Sequence, residues 1–116
     1  MIHGSCHCGA VRLEARAAPK SVTECNCSIC RRLATRWAYY RPDQVSVTGP
    51  TVAYAWGERR IAFHHCPSCG CITHWQAVEP ASATRLGVNT RLFDPADLEA
   101  VRVRRLDGAD TWTYLD

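Results

Sequence analysis

All eight cysteines of this chain fall in three tight clusters: Cys6-His7-Cys8-Gly9, Cys25-Asn26-Cys27-Ser28-Ile29-Cys30 and Cys66-Pro67-Ser68-Cys69-Gly70-Cys71. Whatever the chain folds into must satisfy these sulfurs. A disulfide needs α-carbons roughly 4.4–6.8 Å apart with converging side chains. Thiolates two or three residues apart, repeated along a chain, have instead the spacing of tetrahedral zinc sites. The spacing therefore predicts zinc as cofactor.

The clusters divide into two kinds. In Cys6-x-Cys8 and Cys25-x-Cys27 the thiolates stand at i and i+2, so an extended backbone turns both to one side. Cys66-Pro67-Ser68-Cys69-Gly70 reads as a knuckle, its turn stiffened by proline, with a glycine after the second cysteine that tolerates positive φ. Cys6 and Cys8 with Cys66 and Cys69 would make a closed four-thiolate site, structural in character. Cys25, Cys27 and Cys30 then remain, three thiolates with no fourth partner nearby in sequence. Three protein ligands and a vacancy are what catalytic zinc requires; closure by Cys71, His64, His65 or His74 is the competing arrangement. Cys71 also reads as a small buried residue beside the knuckle.

An even cysteine count can also mark a secreted, disulfide-stapled scaffold. The opening residues, Met1-Ile2-His3-Gly4-Ser5, carry neither a basic nor an apolar export signal. No apolar run approaches the ~20 residues of a membrane span. The expectation is a reducing, cytoplasmic setting without membrane contact. The 116 residues suit one zinc-binding domain over 1–116, with metal supplementing a modest core. A formal net charge of +3, from 14 Lys+Arg against 11 Asp+Glu, is too mild for a nucleic-acid footprint.

Secondary-structure signals are mostly short strands. Residues 10–15, 45–48 and 101–104 alternate apolar and polar with period two. Residues 36–40, 51–56, 60–65, 72–78 and 84–88 are rich in aromatic or β-branched side chains and separated by Gly, Pro or Asp. Helix is confined to a turn at 28–33 and a short piece at 95–99, capped by Asp94 with Pro95 at its first position. The fold class expected is mainly β, small sheets clamped by metal.

Taken together, the motifs resemble the CENP-V/GFA family, named for a glutathione-dependent formaldehyde-activating enzyme. The resemblance runs from Gly4-Ser5-Cys6-His7-Cys8-Gly9-Ala10-Val11 through Cys25-Asn26-Cys27-Ser28-Ile29-Cys30-Arg31 and His65-Cys66-Pro67-Ser68-Cys69-Gly70 to Leu86-Gly87-Val88-Asn89-Thr90-Arg91. It implies a β-tent fold of small antiparallel sheets and two Zn2+ per chain, one structural on Cys6, Cys8, Cys66 and Cys69, one putting Cys25, Cys27 and Cys30 to catalytic use. The activity implied is carbon–sulfur lyase chemistry: condensation of a small thiol, glutathione, with formaldehyde or another small aldehyde.

A thiol substrate suits the three-cysteine site, because Zn2+ deprotonates a coordinating thiol. The negative charge there needs compensation, and Arg31 and Arg32 are the nearest candidates, with Arg36 close behind. Asn89 and Arg91 are further ligand-binding candidates by resemblance; a turn-capping asparagine and a surface arginine explain them equally well. His64, His65 and His74 are candidate proton shuttles. Trp37, Tyr39, Trp56 and Trp75 read as core or pocket wall, one of them a candidate for stacking on a ligand. Two other functions compete: a non-catalytic zinc module for a macromolecular partner, and a sensor from which thiols strip the second zinc.

Overall fold

The computed structural model covers residues 1–116, with every side chain but that of residue 82 described. Ten strands carry it: β1 Ile2–Ser5, β2 Arg12–Ala15, β3 Ser21–Cys25, β4 Trp37–Tyr40, β5 Val45–Thr48, β6 Val52–Tyr54, β7 Ile61–His65, β8 Ile72–Ala77, β9 Leu86–Asn89 and β10 Arg102–Leu106. One four-residue helix, α1 (Cys30–Leu33), follows the second cysteine cluster and ends at Ala34 in the left-handed region. The piece expected at 95–99 forms a 3-10 turn over Pro95–Leu98, with the Asp94 side chain accepting from the Ala96 N–H. The mainly β expectation holds.

The strands form two sheets. β1, β2 and β5 make a three-stranded antiparallel sheet, and the other seven run in the order β10-β3-β4-β9-β8-β7-β6. Every pairing is antiparallel except β3 with β10, which is parallel and in register from Ser21 opposite Arg102 to Cys25 opposite Leu106. This joins the last strand to the strand that leads into the three-cysteine cluster.

Strand alternation decides which side chains meet which face. In β2, Leu13 and Ala15 are buried while Arg12 and Glu14 are exposed. With Ile2 they join Val22, Ala38, Tyr40, Leu86 and Val88 of the larger sheet in one apolar core. The residues between these on β4, Trp37 and Tyr39, point the other way. Trp37 packs with Cys30 and Phe63 in a second cluster, against which Tyr39 and Trp75 rest. The larger sheet thus has one face on the core and one face lined by aromatic side chains beside the cysteine triplet. None of the helices among the described residues is long and apolar enough to cross a membrane.

Candidate metal centres and the cleft beside them

Two hairpin turns bring the first cysteine group together. The turn between β1 and β2 carries Cys6 and Cys8, and the turn between β7 and β8 carries Cys66 and Cys69. They are built alike. Gly9 and Gly70 follow the second cysteine of each pair at φ +81° and +80°, where a side chain would be strained. The Gly9 N–H donates to the Cys6 carbonyl at 3.1 Å and the Gly70 N–H to the Cys66 carbonyl at 2.9 Å. Each turn closes with a second bond, Cys6 N–H to Val11 O and Cys66 N–H to Cys71 O, both 3.0 Å.

The four sulfurs lie within 4.8 Å of one another. Cys8 Sγ stands 3.7 Å from Cys6 Sγ and 3.6 Å from Cys66 Sγ. A tetrahedral zinc with Zn–S of about 2.3 Å sets its sulfurs about 3.8 Å apart, so the group fits that ion. Backbone N–H groups point at the sulfurs: Val11 to Cys6 Sγ at 3.3 Å and Cys69 to Cys66 Sγ at 3.5 Å. The Cys69 thiol is held down to about 5 by the backbone N–H groups of Cys71 and then Cys8, which favours the thiolate a metal needs. Cys71 packs against this group, next to Cys6, Val11 and Cys66, and not against the triplet.

The second group is Cys25 at the end of β3, Cys27 in the turn and Cys30 at the start of α1, their sulfurs also within 4.8 Å of one another. The Cys30 N–H donates to Cys27 Sγ at 3.4 Å, and the Trp37 indole N–H donates to Cys30 Sγ at 3.4 Å. Burial pushes the Cys25 and Cys30 thiols up. Sulfurs so close in a half-buried site would become thiolates together only with a cation to offset them, and an all-sulfur donor set suits a soft or borderline metal such as zinc. No histidine and no fourth cysteine joins this group among the described residues. His64 and His74 stack on each other instead, ring centroids 4.4 Å apart, each bonded through Nδ1 to a threonine, Thr51 and Thr73.

A turn near the C-terminus covers the triplet. Asn26, between the first two cysteines, donates from Nδ2 to Asp107 Oδ1 at 3.0 Å and accepts the Ala109 N–H at 2.9 Å. These bonds lay Gly108 against the sulfur of Cys25, with no room for a β-carbon between them. Trp112 follows, 68% exposed and at φ +58°, outside the usual range for a bulky residue.

Beside the triplet opens a cleft of about 1090 Å3. Its walls are Trp37, Tyr39, Phe63 and Trp75 from the sheet, with Trp56 and Trp112 from the two loops at its mouth. Trp75 lies across Gly87, its cross-strand neighbour, in space that a β-carbon would occupy. It meets Tyr39 at 6.0 Å between centroids, and the Arg85 guanidinium sits 4.5 Å above the Tyr39 ring.

The arginine and asparagine candidates separate. Arg31 lines this cleft and also a smaller one of about 430 Å3 that likewise borders Cys25 and Cys30. Arg91 lines only the smaller one, its Nε donating to Ala34 O at 2.7 Å. Arg32 donates to Ser28 O at 2.6 Å and lines neither. Arg36 pairs with Glu24 at 2.7 Å. Asn89 works as a brace, donating to Ile72 O at 2.8 Å and accepting from the Arg91 N–H at 3.3 Å. Arg59, Arg60 and Arg85 line the larger cleft and were not singled out from sequence, since nothing local distinguishes them from other surface arginines.

The family described as glutathione-dependent formaldehyde-activating enzyme (GFA) matches residues 1–104. The chain belongs to the GFA family. A crystal structure of a Rhodobacter sphaeroides protein is similar to it as well, with 30% sequence identity and a TM-score of 0.71, covering 88% of this chain and 99% of that one. The matched GFA segment contains all seven cysteines of the two groups that could hold a metal. The covering turn at 107–114, with Gly108 and Trp112, lies beyond it.

Proposed function

We propose that residues 1–116 form one zinc-binding domain that makes and breaks carbon–sulfur bonds between a glutathione-type thiol and formaldehyde or another small aldehyde, as a cytoplasmic carbon–sulfur lyase. The observation that carries this reading is the cysteine triplet at the edge of a cleft large enough for a tripeptide, with three ligand sulfurs where the other group has four. Cys6, Cys8, Cys66 and Cys69 would hold a structural Zn2+, and Cys25, Cys27 and Cys30 the second. Zinc at the second site would supply a Lewis acid able to draw the proton from a substrate thiol at neutral pH.

The chain's own residues support the rest of the chemistry. Trp37 and the Cys30 amide hold the sulfurs of Cys30 and Cys27 through N–H donors, fixing where a fourth ligand can approach. Gly108 and Asn26 line the cleft beside Cys25 and narrow the approach to the triplet. Arg31 and Arg85, exposed along that cleft, offer charge-assisted hydrogen bonds to carboxylates of the thiol. The aromatic walls keep bulk water from the reacting atoms. Eight unbridged cysteines suit a reducing compartment.

The test is adduct formation between glutathione and formaldehyde, followed by exchange NMR with zinc-loaded protein and with Cys27→Ser. Acceleration over the uncatalysed rate that disappears in Cys27→Ser is the expected result. The same rate with and without protein would remove the enzymatic reading.

A further inference from the structure

Neither glutathione nor a one-carbon aldehyde matches the aromatic lining of this cleft. Glutathione is polar and charged, and formaldehyde has no surface on which an aromatic ring could stack. Yet the wall nearest the triplet is built from rings: Trp37 against Phe63 at 6.1 Å and Tyr39 against Trp75 at 6.0 Å between centroids. Gly87 lets the Trp75 indole lie flat in this wall, and the Arg85 guanidinium covers one face of the Tyr39 ring. Two large aromatics stay solvent-exposed at the mouth, Trp56 at 47% and Trp112 at 68%. Two of the three non-glycine residues at positive φ, Arg59 and Trp112, stand on the same two loops, a strain that packing has to support. Apolar rings held at a cleft mouth are unfavourable in water and become favourable when a ligand covers them.

We infer that the carbonyl-derived half of the substrate is an aromatic or similarly bulky apolar group, seated on Trp75 and enclosed between Trp56 and Trp112, with the anionic thiol half directed to Arg31 and Arg85. This inference rests on the thiol-adduct reading above and gives its substrate class. In the forward step the thiol sulfur bonds to the aldehyde carbon, the C=O π pair moves onto oxygen, and the thiol proton ends on that oxygen. The reverse step breaks the same C–S bond and returns thiol and aldehyde, so no oxidant or reductant is required. The covering turn that brings Trp112 to the mouth lies outside the segment matched to the GFA family.

Binding separates this inference from the activity. Calorimetric titration of the zinc-loaded chain with S-benzylglutathione and S-methylglutathione compares the two apolar groups on one thiol scaffold. The benzyl ligand is expected to bind at least tenfold more tightly. Trp56→Ala, at a half-exposed loop position, is expected to lower the benzyl affinity at least threefold and leave the methyl affinity within twofold. Equal affinities for the two ligands overturn the inference, as does a benzyl preference unchanged in both Trp56→Ala and Trp75→Leu. Adduct formation is then measured with benzaldehyde and with formaldehyde. Acceleration with formaldehyde alone also overturns it. No acceleration with either aldehyde, beside an intact benzyl preference, counts against the proposed activity and still supports the ligand class.

Discussion

Gly108 lies against the sulfur of Cys25 so closely that a β-carbon on it would overlap that sulfur. The contact joins residues 83 positions apart and rests on the Asn26 side chain, which holds the covering turn through Asp107 and Ala109. Gly108→Ala must therefore displace either the turn or Cys25. It is expected to weaken metal retention by the triplet at least tenfold while leaving the four-cysteine group loaded. Competition against a chromophoric chelator reads both sites, and two unchanged affinities would show that the turn yields without disturbing Cys25.

The four-cysteine group ties the turn between β1 and β2 of the small sheet to the turn between β7 and β8 of the large one. The triplet sits within one short stretch, 25–30, and clamps little beyond itself. Cys69→Ser is thus expected to destabilise the whole protein by several kcal/mol, a part of the roughly 10–16 kcal/mol that structural zinc contributes in zinc-finger peptides. Cys27→Ser should keep the fold and lose one metal. Thermal melts with zinc analysis of both variants check this, and similar unfolding of the two would break the division of labour.

Trp75 occupies the space over Gly87. Gly87→Ala forces the indole aside in a strand buried along its full length, so a loss of roughly 1–3 kcal/mol is expected from overpacking. Urea denaturation measures it. The near-ultraviolet circular dichroism of the tryptophans should change with it, because the Tyr39–Trp75 arrangement shifts.

Burial, and then the neighbouring His64, lower the His74 imidazole to about 4. Unfolded, the ring titrates near 6.5, so below that pH the unfolded chain binds the extra proton and folding stability falls. The stability linked to His74 is fully present above about pH 6.5 and is lost progressively down to about pH 4, with an upper bound of roughly 3 kcal/mol. Acid also releases thiolate-bound metal, so the comparison is with His74→Gln, which should show a shallower decline over the same range. Parallel curves would place the acid sensitivity at the cysteines alone.

Much of this was legible in the residues. Val45–Thr48 forms a strand with the bounds that its alternation predicts, and the aromatic runs at 36–40 and 72–78 contain β4 and β8. The cysteine clusters follow from spacing, because i and i+2 sulfurs on extended backbone and a proline–glycine knuckle are local geometry, whereas the meeting of Cys6 and Cys8 with Cys66 and Cys69 is long-range and is firmer for the family resemblance. Two strands escaped the reading. β1 is Ile-His-Gly-Ser, with one apolar residue, and β3 ends in Cys25, whose motif masks its strand character. The cleft was also hidden. Arg59, Arg85 and Trp112 reach it from loops far apart in sequence, and an Asp-Gly pair at 107–108 announces a turn without saying that the turn lands on Cys25. Asn89 and Arg91 reach the neighbourhood of the site as braces, which a motif match alone does not distinguish from ligand contact.

Zinc per chain, measured by elemental analysis on anaerobically purified protein before and after millimolar glutathione, tests the central claim most directly. The account predicts two zincs per chain, both retained with glutathione present, and one in Cys25→Ser. One zinc in the native protein, or loss of the second when glutathione is added, would contradict it.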